Sequence, residues 1–332
     1  MLVQTREAMS EAGLHRLLGK QASWKAVTPA PKACVFSVQT QSGESLSSLI
    51  THFRNQPEVL YAEPNFIYRL AETTPNDTYF ASEQWALRNT GQKGGISGED
   101  IDATEAWDTQ TGSPDVVVAV IDTGLALEHS DIRNGTGNVW LNTDEIPGNL
   151  LDDDNNGYVD DWRGWNFFEE NNNPNDQHSH GTHVSGTIGA IGNNGQGVTG
   201  VCWQVKIMPL AAFNPRTGEA TNEDLVAAIQ YAVNNGAKVI NASWGDFVHS
   251  QILEDAVRTA RDAGVLFVAA VGNNSLLDLE HASFYPAGYQ LENIVSVASS
   301  NSSARISSFS NQGNYSVDLF APGESIFNLS LN

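Results

Sequence analysis

The chain has 332 residues, 40% of them hydrophobic, which is enough for a buried core and fits two domains or one large domain with an added module. Its 17 Lys and Arg stand against 39 Asp and Glu, a formal net charge of −22 that repels phosphate backbones, so nucleic acid is not an expected partner. The longest apolar run, Val265 to Val271, is strand-sized and far short of the roughly 20 residues that cross a bilayer, so no membrane partner is expected either.

The opening residues Met1 to Glu7 lack the apolar core of a signal peptide. Residues 1–72 are expected to form a small α+β unit. Ala33 to Val38 has the composition of a strand, Leu46, Leu49, Ile50 and Phe53 recur at helical spacing within Glu44 to Arg54, and Val59 to Ala62 is a second short strand, with Gly43 and Pro57 as punctuation. Ala71 to Asp77 is polar, contains Pro75 and is expected to be a linker. Cys34 and Cys202 fall on either side of it and are expected to be small buried thiols, not a disulfide.

From about residue 100 strands and helices alternate. Val116 to Ile121 is a β-branched run suited to a strand buried on both faces. Asp224 to Asn235 presents Leu225, Ala228, Ile229, Ala232 and Val233 on one face, with Thr221 and Asp224 as a capping box and Gly236 just past the end. Lys238 to Ser243 is the next strand. Leu253, Val257 and Ala260 mark a further helix closed by Gly264, and strands follow over Val265 to Val271 and Ile294 to Ala298. This order predicts, for residues 73–332, an α/β domain with a parallel sheet and helices on both faces.

Three places could carry chemistry. Asp122 directly follows the strand that ends at Ile121, and the C-terminal strand ends of a parallel sheet are where catalytic groups collect. His178, His180 and His183 lie within six positions, so they could form a zinc cluster, or one of them could be a general base held by a carboxylate. There is no His-Glu-x-x-His and no cysteine pair to favour zinc. Asn273 follows the strand that ends at Val271, and a side-chain amide there could donate to a developing oxyanion. A fourth feature is acidic: Asp152, Asp154, Asn156, the Tyr158 carbonyl and Asp160 alternate around Gly157 as in the first part of an EF-hand loop. Arg163 stands where the twelfth-position glutamate would be, so this is not an EF-hand; a calcium-binding loop is expected, with a solvated acidic loop as the alternative.

Together these segments resemble the subtilase family of serine proteases. Val-Ile-Asp-Thr-Gly at 120–124 is similar to its aspartate motif, His-Gly-Thr-His-Val-Ser-Gly-Thr at 180–187 to its histidine motif, and Ala-Ala-Val-Gly-Asn at 269–273 to its oxyanion-asparagine motif. Ser307 to Asn311 and Val317 to Gly323 resemble later landmarks. The order Asp, His, Asn is that of the family. The resemblance implies a subtilisin-like fold and endopeptidase chemistry in which Asp122 and His180 are catalytic and Asn273 stabilises the oxyanion. It also implies a peptide substrate bound along Ser243, Trp244, Gly245 and Gly272. It further implies structural calcium, in such acidic insertions and at a second site around Asp131 and the Asn193-Asn194 turn. Residues 1–72 would be a pro-segment acting as an intramolecular inhibitor, with its tail at Phe66 to Ala71 in the substrate cleft, and the protein would be secreted. One feature departs from the pattern: no Gly-Thr-Ser tripeptide occurs, and Ser325 and Ser330 follow the Ala-Pro-Gly turn at 321–323 with the wrong neighbours. The 332 residues are therefore expected to carry the aspartate and the histidine without the nucleophile, and to be inactive as they stand. The alternative is a pseudoprotease that only binds peptide or calcium.

Overall fold

A computed structural model describes residues 1–18, 23–27, 34–39, 45–66, 72–132, 137–275, 279 and 282–331. The chain divides into two compact units, Met1–Ala71 and Glu72–Asn332.

The first unit is a four-stranded antiparallel sheet with two helices. In chain order these are β1 (Leu2–Thr5), α1 (Glu11–Leu18), β2 (Ser23–Ala26), β3 (Val35–Gln39), α2 (Leu46–Arg54) and β4 (Val59–Glu63), with the strands in the order β2-β3-β1-β4. The opening residues are thus an inner strand, with Val3 opposite both Phe36 and Ala62. Burial alternates along β1 and β3, which puts Val3, Phe36 and Val38 into a core with Phe53, Val59 and Ala62. Two alternations are too few to mark β1 as a strand from sequence. Ala33, Gly43, Glu44 and Ala71 lie outside the described residues, as does the 67–71 tail.

The second unit contains α3 (Phe80–Glu83), α4 (Ala103–Trp107), β5 (Gly112–Asp122), β6 (Trp165–Asn166), α5 (His180–Gly189), β7 (Gln204–Ala211), α6 (Asn222–Asn234), β8 (Val239–Ala242), α7 (Gln251–Asp262), β9 (Leu266–Ala270), β10 (Ile294–Ser300) and β11 (Leu319–Pro322). Its seven strands are all parallel, in the order β11-β10-β9-β8-β5-β7-β6, flanked by helices: an α/β fold. Alternate residues of β5 serve the two layers. Ala119 and Ile121 pack with Ile229 of α6 and Val257 of α7, while Val118 and Val120 pack with Ala190 and Ile207 on the α5 side. Burial on both faces begins only at Val118, because Val116 is 37% exposed. β7 was not expected as a strand; Lys206 and Pro209 interrupt its apolar pattern, yet it pairs with β5 from Val117 to Asp122. The expected linker is also tied down. Thr73 donates through N and Oγ1 to Asp108 at 2.8 and 2.7 Å, and the Asn193 amide donates to Asp77 at 2.6 Å. Its polar side chains find fixed partners within the second unit. Cys34 and Cys202 are free and half-buried.

α6 begins as its sequence implies: the Thr221 hydroxyl accepts from the Asp224 amide and donates to the Asp224 carboxylate. Among the described residues no helix is long and apolar enough to cross a membrane. Because the sheet is parallel, the C-terminal ends of β5, β8 and β9 share one edge, and Asp122, Ser243 and Asn273 all lie there.

Candidate active site

β5 ends on Asp122, which is 2% exposed, and α5 begins on His180. The His180 Nδ1 lies 2.7 and 2.9 Å from the two Asp122 carboxylate oxygens. That bond commits Nδ1, so Nε2 is the nitrogen available for proton transfer. The close approach of helix and strand depends on two glycines. Gly124 has φ +109°, and a Cβ on Gly181 would sit 2.2 Å from the Gly124 carbonyl oxygen. The Thr123 amide also donates to Asp122 Oδ1 at 2.7 Å, which holds the carboxylate towards the ring.

The hydrogen bond to Asp122 raises the His180 pKa above its ordinary value, against the opposing effect of burial, with further help from the charges of Asp122 and Asp176. A histidine with a raised folded pKa stabilises the fold fully below its unfolded value, and this contribution is lost as pH rises through the folded value. An NMR titration of His180 is therefore expected to give a midpoint above about 6.5, and Asp122→Asn is expected to lower it. A midpoint at or below that of free histidine would mean the pair is not formed in solution.

The pair opens onto a cleft of about 670 Å³, also lined by Ser243, Trp244, Gly245, Leu225, Leu253 and Tyr285. Trp244 is pinned there by its Nε1 donating to the Ile121 carbonyl at 2.9 Å. Asn273 is exposed at the end of β9, after Gly272 at φ +93°. Fully buried Asn311 clamps this turn. Its Nδ2 donates to the Val271 carbonyl at 2.8 Å, its backbone amide donates to the Gly272 carbonyl at 3.0 Å, and its Oδ1 accepts from the Asn274 amide at 3.0 Å. The sequence marks Asn311 only as the last residue of a segment resembling a family landmark, without that task.

The histidines are not arranged as a zinc site. His183 Nε2 meets the Ile326 carbonyl at 3.2 Å, and the rings of His178 and His180 are 6.4 Å apart. Among the described residues the group of side chains close enough to hold a metal is Glu145, Asp152 and Asp154. It includes two of the alternating acidic residues and one, Glu145, that their spacing does not contain. The Glu145 Oε1 accepts from the amides of Asp153 and Asp154 at 2.8 and 3.3 Å, while its buried Oε2 has no partner. Burial, and then repulsion from Asp161 and Asp154, raises the Glu145 pKa.

The other residues of the alternating pattern have different contacts. Asp160 accepts from the amides of Gly148 and Leu150 at 2.7 and 3.0 Å. Asn156 Nδ2 donates to Asp154 and Asp161, both at 3.0 Å, and the Tyr158 ring packs against Trp165, Phe167 and Tyr231. Asp161 is fully buried and accepts from Asn142, Asn156 and the Tyr231 hydroxyl, tying the loop to α6. At the second place, Asp131 accepts from Asn194 Nδ2 at 3.0 Å and the Val198 amide at 2.9 Å. Asp77, expected only as the end of a linker, stands near it with a buried, unpartnered Oδ1, its pKa raised by burial and by Asp131.

A family model described as "Subtilase family" matches residues 113–332. The chain is 34% identical over 282 residues to the "Thermophilic serine proteinase" of Bacillus sp. (strain AK1), covering 85% of this chain and 59% of that protein. It is 32% identical over 254 residues to "Thermitase" of Thermoactinomyces vulgaris, covering 76% of this chain and 75% of that one. The "Cell wall-associated protease" of Bacillus subtilis (strain 168) is 32% identical over 295 residues, of which this chain spans 29% of the length. Among solved structures, that of a cold adapted subtilisin-like serine proteinase superposes with a TM-score of 0.55 at 27% identity, over 75% of this chain and 76% of the other. Since the family model takes in both the strand that ends on Asp122 and the helix that begins on His180, the chain belongs to the subtilase family.

Proposed function

We propose that this chain is a subtilisin-like serine endopeptidase in zymogen form. The observation that carries the reading is the bond from His180 Nδ1 to both Asp122 oxygens at the mouth of the cleft. His180 Nε2 removes the proton from an attacking serine hydroxyl and later returns it to the leaving amine, while Asp122 stabilises the imidazolium formed in between. Asn273 donates its amide to the tetrahedral oxyanion. An extended peptide lies along Ser243, Trp244 and Gly245, beside Gly272. Calcium, held by Glu145, Asp152 and Asp154, and in a second place by Asp77, Asp131 and the Asn194 turn, would neutralise carboxylates that otherwise repel one another. Residues 1–72 act as the intramolecular inhibitor, and the protein works outside the cell.

The hydroxyl belongs, by family pattern, to a Gly-Thr-Ser segment that the 332 residues do not contain. That feature favours a second reading, a pseudoprotease that only binds peptide or calcium. Joining a subtilase Gly-Thr-Ser segment to the chain separates the two. The endopeptidase reading expects the extended chain to hydrolyse a fluorogenic peptide, and Asn273→Ala to slow it about 10²- to 10³-fold. An extended chain that folds and binds peptide without turnover supports the second reading. Turnover that survives His180→Ala overturns the first.

A further inference from the structure

One buried carboxylate beside the catalytic pair takes no part in that mechanism. Asp176 is 3% exposed and accepts five hydrogen bonds. Its Oδ1 receives the Thr123 hydroxyl at 2.9 Å and the amides of His178 and Ser179 at 2.8 and 3.1 Å. Its Oδ2 receives the Thr182 amide at 3.0 Å and the Thr182 hydroxyl at 2.6 Å. Burial alone would raise its pKa; the bonds from Thr182, His178 and Thr123 outweigh that and hold it below the ordinary value, so the group is ionised.

A hydroxyl has one proton to give. Thr123 spends its proton on Asp176, which leaves its oxygen to accept from the Gly181 amide at 2.9 Å. Thr182 does the same, and its oxygen accepts from the Ala126 amide at 3.0 Å. These two bonds lock the segment after Asp122 to the first turn of α5. Thr123 is the neighbour of Asp122, and Gly181 the neighbour of His180.

We propose that Asp176 is a positioning residue for the Asp122–His180 pair: as an acceptor at both oxygens it fixes the direction of the Thr123 and Thr182 hydroxyls, and through them the seating of the histidine helix on the aspartate strand. The inference rests on the reading of Asp122 and His180 as the catalytic pair. Both faces of the Asp176 carboxylate meet donors only. An amide at this position must turn its NH₂ towards one of those faces. A threonine hydroxyl could accept from it only by reversing, and its proton would then point at the Gly181 or Ala126 amide in place of a lone pair. One cross-link would be lost. The carboxylate charge also favours the protonated form of His180.

The test uses residues 1–332 with ¹⁵N-labelled histidine and needs no turnover. It reads two signals, the His180 titration midpoint and the low-field Nδ1 proton bonded to Asp122. Asp176→Asn is expected to lower the midpoint by about one unit and to broaden or abolish the proton signal. Thr123→Val keeps the charge and the shape but removes the hydroxyl; it is expected to abolish the proton signal, and Thr123→Ser to restore it. If Asp176→Asn does not fold, the two Thr123 variants decide. A proton signal unchanged in Thr123→Val, or unchanged together with the midpoint in Asp176→Asn, overturns the proposal. Asp122→Asn is the control for the underlying reading. If that variant leaves the proton signal in place, the catalytic pair itself is misassigned. If it removes the signal while the Asp176 and Thr123 variants do not, only the positioning role fails.

Discussion

Purified residues 1–332 are expected to hydrolyse a denatured protein no faster than buffer does. The mechanism proposed needs a hydroxyl within reach of His180 Nε2, flanked by the family's Gly-Thr-Ser context, and no such tripeptide occurs in the sequence. The magnitude at stake is known from subtilisin, where removing the serine or the histidine alone costs on the order of 10⁶ in kcat. Ser325 does not replace it by resemblance: it has φ +56° and lies outside any helix, whereas the family nucleophile starts one. Ser330 is exposed in a segment whose next amide, that of Leu331, reaches the Ser179 hydroxyl at 3.4 Å. Turnover that disappears in His180→Ala would show that one of the 332 residues serves as nucleophile after all. Turnover that persists in His180→Ala would point to a contaminating peptidase.

Chelation of calcium is expected to lower the melting temperature by about 5–10 °C. A ligand that binds only the native state adds about 2.7 kcal/mol at 100-fold excess over Kd, and each kcal/mol moves a domain of this size by about 2–4 °C. The physical source is the burial of carboxylates and, after it, their mutual repulsion. Glu145 and Asp161 both have raised pKa values, first because burial penalises the charged form and also because acidic neighbours repel it. Without a cation these groups favour folding below their unfolded pKa, near about 4, and that contribution is lost as pH rises through the raised folded values. The chelated protein should therefore lose stability from about pH 4 towards neutrality, and the gap between calcium and chelator should widen over the same range. Asp154→Ala should shrink the gap. Glu145→Gln should raise the melting temperature in chelator, because a neutral amide still accepts from the Asp153 and Asp154 amides while removing one repelling charge. Identical melts in both buffers at pH 7 would leave the acidic loop without a calcium role.

Short-range spacing alone determined much of this protein. The β-branched run ending at Asp122, the small-residue segment after His180, the Thr221 to Asp224 cap and the strands before Ser243 and Asn273 each place a side chain by the period of one element. The rule that parallel strands share a C-terminal edge then brings Asp122, Ser243 and Asn273 together without coordinates. The family resemblance singled out His180, but only the tertiary structure decided which partner each histidine meets. His178, His180 and His183 are equivalent by spacing, but one turn of helix separates an imidazole on Asp122 from one on the Ile326 carbonyl. It also decided the carboxylates. Asp160 fits the alternating pattern, yet the amides of Gly148 and Leu150 capture it, while Glu145 joins Asp152 and Asp154 from outside that pattern. The reason is that a carboxylate turns towards whichever donors the folded chain supplies. For Asp176 these include the hydroxyl of Thr123, 53 residues away, a distance along the chain that no local pattern encodes.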